Sequence, residues 1–282
     1  MDAAIPAMLN AMTLISILML VGLGLAITYG LMGIINMSHG DFITVGAFSL
    51  AMVQGFGGSF WMALLVAPLI GAALGFCIEK SIVQFLYKRP LATIMATWGL
   101  SLILQQGLQL IFGAAPQKVI SPIATTFEIF GAPYPAYRLL LIIMAVAIMA
   151  AVHLFIRKTS FGLDLRTVIQ NPEMAGALGI DTKRVFTLAF ALGTGLAAIA
   201  GVLLAPMTAV IAQMGTNYLA RSFFVVIVGG AGSVPGVVAG ATFVGGAETM
   251  FNYIIPAAMS QALVLVLAII LVRFRPNGLV TR

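Results

Sequence analysis

Few side chains in this sequence could do chemistry, and they gather in a small number of places. The first is Tyr29-Gly-Leu-Met-Gly-Ile-Ile-Asn-Met-Ser-His-Gly-Asp41, which sets Asn36, Ser38, His39 and Asp41 between two long apolar runs. A carboxylate and an imidazole two residues apart can form a buried pair, relay a proton or mark a wet cavity. A metal site is not expected, because the one other histidine is the distant His153. The second place is the run Thr93, Thr97, Ser101, Gln105 and Gln109, one polar residue every four positions, with Trp98 and Gln106 beside it. Four residues at about 100° each advance about 40° past a full turn, so on a helix the five form a slanting polar ridge. The ridge carries no charge, which suits a neutral, amide-like or zwitterionic solute better than an ion.

The elements that must position these groups follow from composition. Of the 282 residues 61% are hydrophobic and 8% charged, and the mean hydropathy is +1.12. A soluble domain has roughly 25% charged residues, so these side chains cannot clothe a surface facing water. The composition excludes a soluble enzyme, a nucleic-acid-binding domain and a disordered linker. Long unbroken apolar runs such as Leu139–Phe155 and Ala262–Val272 favour helices over the polar–apolar alternation of a β-barrel. The expected fold class is therefore an all-α polytopic membrane protein with about eight or nine transmembrane or re-entrant helices, forming a single domain over 1–282.

Apolar segments fall at 11–33, 41–56, 60–86, 91–112, 138–156, 185–213, 218–230, 236–254 and 258–272. Gly229, Gly230, Gly232, Pro235 and Gly236 interrupt the later ones. No basic stretch precedes the first run, so it is expected to stay as a span rather than be cleaved as a signal. The net charge of +6 reads as anchoring rather than as nucleic-acid binding. Eleven Lys/Arg fall in the loops near 88, 157–184 and the C-terminus, against Lys118, Arg138 and Arg221 on the other side. By the positive-inside bias the first set faces the cytoplasm. Nine crossings put the N-terminus outside; eight, or a re-entrant segment, change that. Cys77 lies in an apolar run and is expected in the core. Glu79, beside Lys80, is expected to pair or snorkel near the interface. Gly22-Leu-Gly-Leu-Ala-Ile-Thr-Tyr-Gly30 weakly echoes Gly193-Thr-Gly-Leu-Ala-Ala-Ile-Ala-Gly201, a possible internal repeat of the kind common in transporters.

Two connections are long. Residues 113–137, with Pro116, Pro122 and Pro133, face outward. Residues 157–184 form the largest cytoplasmic loop. Within the latter Asn171-Pro172 reads as a helix start, with Asn as cap and Pro where no N–H is needed. Glu173 suits the positive end of the helix dipole, and Gly179 stops the helix after Leu178. The spacing predicts a helix over Pro172–Leu178 presenting Met174, Ala175 and Leu178. So short a helix is unstable alone in water and must pack on its own chain or on a partner. No phosphate-binding Walker A sequence occurs, so energy from ATP would have to come through another chain.

The motifs resemble a known family. Tyr29–Asp41, Lys88–Gln106, Gln170–Asp181, Val225–Gly236 and Arg275-Pro-Asn-Gly-Leu279, in this order, are similar to those of LivH-type permease subunits of ABC importers for branched-chain amino acids, and of the related urea and short-chain amide systems. The resemblance implies an ABC importer permease fold in a bacterial inner membrane. It implies a second permease subunit, homologous or identical, two cytoplasmic ATPases that use the ATP, and a periplasmic solute-binding protein. The chain itself is expected to bind no cofactor and to catalyse nothing. Asn171, Glu173, Met174, Ala175, Leu178 and Gly179 become the candidates for coupling to the ATPase. Tyr29, Asn36, His39, Asp41, Thr97, Trp98, Ser101, Gln105 and Gln109 become the candidates for the solute pathway. Branched-chain or other hydrophobic amino acids are the expected cargo, with urea or amides as the alternative. More distant alternatives are a stand-alone channel or secondary transporter, and an intramembrane enzyme built on His39 and Asp41.

Overall fold

Seven of the nine apolar segments become helices long and apolar enough to cross a bilayer in the computed structural model of the chain. The structure describes residues 4–33, 35–87, 89–129, 132–275 and 278–280. Lys88 and Arg282 of the charge count, and Ile34, Pro276 and Asn277 of the motifs, lie outside the described residues. The long helices are α1 (Ala4–Met32), α3 (Phe60–Ser81), α4 (Pro90–Phe112), α5 (Ala136–Lys158), α8 (Thr182–Leu204), α10 (Val234–Asn252) and α11 (Ala257–Phe274). The other two segments make shorter helices, α2 (His39–Gly55) and α9 (Thr216–Gly229). Two further helices, α6 (Ser160–Gln170) and α7 (Pro172–Ala177), occupy the large basic loop. One departure from an all-helical chain is a small antiparallel hairpin in the outward segment, β1 (Thr126–Ile129) with β2 (Ala132–Pro135), pairing Thr126 with Pro135 and Phe127 with Tyr134.

The short helices start inside the protein. His39, the first residue of α2, places Nε2 3.4 Å from the Val21 carbonyl within α1. The far end of α2 reaches the outward segment, where the Gln54 amide bonds both the N–H and the C=O of Ile120, each at 2.8 Å. α9 starts against the same point. Gly215 donates its N–H to Thr44 Oγ1 at 2.9 Å, and its backbone touches that of Gly40. The other end of α9 meets the basic C-terminal segment: Leu279 and Val280 donate to the carbonyls of Val228 and Gly229. Thus α2 leaves the meeting point toward the 113–137 segment and α9 toward the basic C-terminal segment.

This arrangement belongs to an inverted repeat. α3 packs on α8 as α10 packs on α1, α2 packs on α3 as α9 packs on α10, and α2 lies by α4 as α9 lies by α11. Units α1–α4 and α8–α11 therefore have the same packing with opposite direction, joined by α5, α6 and α7. The Gly22–Gly30 and Gly193–Gly201 echo falls on α1 and α8, the equivalent first helices. These two helices also touch. A Cβ on Gly193 would stand 2.8 Å from the Gly24 carbonyl oxygen, so the backbones meet where no side chain fits. Helices in lipid gain no hydrophobic drive from one another, and close small-residue packing supplies the contact instead.

Large apolar side chains such as Leu65, Leu69, Ile143 and Ile269 face outward, as a lipid-facing surface requires. Cys77 joins them: it is exposed on α3 rather than buried in the core. In a membrane protein an apolar run has a lipid-facing side as well as a packed one, so hydrophobicity alone did not place it.

Candidate functional site

The meeting point of the two short helices is where the polar residues collect. After α1 ends, the chain turns back, and Asn36 Oδ1 accepts from Ser38 N at 3.0 Å and from Ser38 Oγ at 2.7 Å. Met37 N donates to Thr97 Oγ1 on α4 at 3.1 Å, tying the returning strand to the ridge. Asp41, 1% exposed, accepts from Gln105 Nε2 at 2.9 Å. The same Gln105 nitrogen lies 3.0 Å from Ser101 Oγ and 3.4 Å from Thr216 Oγ1, the first residue of α9. One amide thus bridges α4, α2 and α9. Asp41 Oδ2 and Asn36 Nδ2 have no hydrogen-bond partner among the described residues.

The ridge is split by depth of packing. Thr93, Thr97 and Ser101 are buried, with the two threonines bonded to carbonyls in the preceding turn. Gln105 and Gln109 are half-buried and Gln106 is exposed, as are Thr216 and Asn217 on α9. Amide groups therefore lie uncovered along a face of otherwise apolar helices. Burying such a group without a hydrogen bond costs about 2–7 kcal/mol, so this face does not belong against lipid tails.

Asn36, Asp41, Thr97, Ser101 and Gln105 are brought together, and Gln109 follows on the open end of the same ridge. Three candidates stand elsewhere. His39 turns away from Asp41 to the α1 backbone and makes no ion pair with it; side chains two residues apart at a helix start diverge by about 200°. This removes the His39–Asp41 pair on which an intramembrane enzyme would depend. Tyr29 packs edge-on against Phe223, ring centroids 5.6 Å apart. Trp98 is 58% exposed on the outer side of α4, off the ridge.

The pairing of a second polar group escaped the sequence reading, although Glu248 alone could be expected to face the bundle. In the other unit, Arg221 Nη2 on α9 lies 3.0 Å from Glu248 Oε1 on α10, with Gln261 of α11 against the same carboxylate. Beside them a cavity of about 480 Å³ is lined by residues that include Ile211, Met214, Asn217, Tyr218, Arg221 and Gln261. The partners are 27 residues apart on different helices, so no local spacing announces them. The shared polar start of α2 and α9, read through the repeat, is the signal that could have led there.

In the large basic loop α7 matches the expected capped helix. Asn171 Oδ1 accepts from Met174 N at 2.9 Å, and Gly179 adopts φ +86° after Leu178, a left-handed stop that glycine takes without strain. Met174 and Leu178 (70%) are exposed, as are Glu173 and Gly176. Ala175 is the correction: it is buried against its own chain rather than presented, because one residue rotates about 100° on a helix and leaves the Met174 face. α6, missed in the sequence, supplies the packing with buried Leu165 and Val168. Between α7 and the α3–α4 connection lies a cleft of about 970 Å³. Glu79, buried, accepts from the Tyr87 hydroxyl there at 2.6 Å. Burial and that hydrogen bond hold the Tyr87 phenol above its ordinary pKa. Tyr87 also packs on Phe186 of α8, ring centroids 4.8 Å apart.

Comparison with known proteins gives a consistent result. The family described as the branched-chain amino acid transport system permease component matches residues 7–272. The chain is 30% identical to the high-affinity branched-chain amino acid transport system permease protein LivH of Salmonella typhimurium, over 98% of this chain and 94% of that one. It is 25% identical to the permease protein LivM of the system with the same name in Escherichia coli, over 78% of this chain and 58% of that one. A solved ABC transporter of metal-chelate type, in an inward-facing conformation, gives a TM-score of 0.46 at 18% identity, covering 96% of this chain and 86% of that one.

Proposed function

Because the chain belongs to the family of permease components of branched-chain amino acid transport systems, we propose that the Asp41–Gln105–Thr216 face lines its solute pathway and that α7 receives the motion that opens it. The chain is a multi-pass membrane permease subunit of an ABC importer for branched-chain amino acids. The urea and amide alternative finds no support among the named relatives. The observation that carries the pathway reading is the run of half-buried Gln105 and Gln109, with exposed Gln106 beside them, inside the candidate span Pro90–Phe112, continued by exposed Thr216 and Asn217 at the start of α9. Uncovered hydrogen-bonding groups at that depth call for water, a polar solute or a second protein surface.

A second permease subunit facing this surface closes the pathway, and two relatives with different names, LivH and LivM, both permease proteins of such a system, support a mixed pair. Two cytoplasmic ATPases bind the exposed α7, and a periplasmic solute-binding protein delivers cargo in the bacterial inner membrane. ATP binding draws the ATPases together, α7 moves with them, and the α6–α8 base passes the motion to the helices around the pathway. The loaded binding protein must prefer one of the two states for delivery to shift their balance.

The test uses the complete complex with its binding protein in proteoliposomes. Gly179→Val, which strains the left-handed stop, and Leu178→Asp, which puts charge on the docking face, are expected to cut leucine uptake about tenfold or more while ATP hydrolysis by the ATPases persists. Unchanged uptake per ATP in both variants contradicts docking through α7. Uptake by this chain without any ATPase returns the reading to a stand-alone channel or secondary transporter.

A further inference from the structure

The cavity beside Arg221 has the chemistry of a carboxylate site with an apolar end. Arg221 is held from behind: Glu248, 3% exposed, takes one guanidinium nitrogen at 3.0 Å. The guanidinium has five N–H donors in a fixed fork, so one contact at Nη2 leaves donors over, and Arg221 lines the cavity. Thr208, Asn217 and Gln261 add polar lining, while Ala209, Ile211, Met214 and the Tyr218 ring supply apolar surface. The volume of about 480 Å³ falls within the range of about 300–1,000 Å³ usual for small-molecule sites. Asn217, which lines the cavity, directly follows Thr216, whose Oγ1 lies 3.4 Å from Gln105 Nε2.

We infer that this cavity is a low-affinity station for the cargo, taking the carboxylate of a branched-chain amino acid on Arg221 and its side chain against Ile211, Met214 and Tyr218. The inference rests on the pathway reading above and sharpens it to a chemical requirement. Arginine suits a carboxylate because its planar fork matches two oxygens. The cost of holding a guanidinium in the membrane is already met by Glu248, so the ligand need not neutralise an isolated charge. A solute without a carboxylate, such as urea or an amino acid amide, can accept a hydrogen bond from Arg221 but makes no bidentate ion pair with it.

The experiment is the thermal unfolding of the permease–ATPase complex in nanodiscs, without the binding protein, in the presence of leucine, leucinamide or urea. Leucine at about ten times its dissociation constant is expected to raise the melting temperature by about 3 °C, while leucinamide and urea leave it unchanged. Arg221→Gln abolishes the leucine shift, and Arg221→Lys, which keeps the charge that holds Glu248, retains part of it. A structural role alone would lower the starting melting temperature in Arg221→Gln without erasing the preference for leucine over leucinamide. Equal shifts with leucine and leucinamide, no shift with leucine, or a full leucine shift in Arg221→Gln overturns the site. ATP-driven leucine uptake by the intact wild-type system, measured in parallel, separates the two readings: uptake without a shift removes this station and leaves the permease function standing.

Discussion

The two inverted units share a scaffold and differ in how they handle charge. In α1–α4 the buried carboxylate Asp41 is met by a neutral amide, Gln105, and one of its oxygens has no partner among the described residues. In α8–α11 the buried carboxylate Glu248 is met by a cation, Arg221. What the units have in common is made of glycine: Gly24 against Gly193, and Gly40 against Gly215. The packing of this fold therefore resides in small residues, and the polar groups set on it are free to diverge. One unit keeps an unsatisfied acceptor at the meeting point, the other a satisfied ion pair beside a cavity.

Breaking the shared part has the largest effect. A Cβ on Gly40 would stand 2.6 Å from the Gly215 carbonyl oxygen, with backbone on both sides and nothing flexible to yield. Gly40→Leu and Gly215→Leu are each expected to prevent assembly, at a cost of about 1–3 kcal/mol or more, read as loss of a monodisperse detergent-purified peak. A variant of either that assembles and transports normally would show that the crossing is looser than described.

The difference between the units is sharpened by a matched pair of charge removals. Glu248→Gln leaves Arg221 without its counter-charge. Breaking a fully buried pair costs about 3–5 kcal/mol, and partial exposure of Arg221 reduces this to about 1–3 kcal/mol, visible as a lower melting temperature. Asp41→Asn keeps an acceptor for Gln105 while removing a desolvated charge, so its stability is expected to be unchanged or slightly higher. Uptake, by contrast, is expected to fall in Asp41→Asn. Equal destabilisation by the two substitutions would show that Asp41 has a charged partner and that the contrast is false.

Much of this organisation can be read from sequence because hydropathy is cumulative. Each of the nine apolar segments became a helix, and the Asn171-Pro172…Gly179 signals placed α7 to within a residue. The depth at which α2 and α9 begin was not legible. Apolar run length cannot tell a half-crossing helix from a short whole one, and only contacts such as His39 with Val21 reveal it. The ridge on α4 was visible because its polar residues recur on one helix. Thr216 and the Arg221–Glu248 pair were not, since their partners lie on other helices. α6 was hidden by its charges: Asp164 and Arg166 flank Leu165, masking the spacing of Phe161, Leu165 and Val168. Exposure on a membrane surface, as with Cys77, follows from packing and leaves no mark on composition.

The central claim is that the amide face of α4 borders water rather than lipid. Single cysteines at Gln109 and at Leu65, in a Cys77→Ala background, test it in the assembled complex with a membrane-impermeant thiol reagent. The account predicts that Gln109→Cys is labelled and Leu65→Cys is protected, with Gln109→Cys labelling changing between nucleotide-free and ATP-bound states. Protection of both positions, in a complex that still imports leucine, would contradict it.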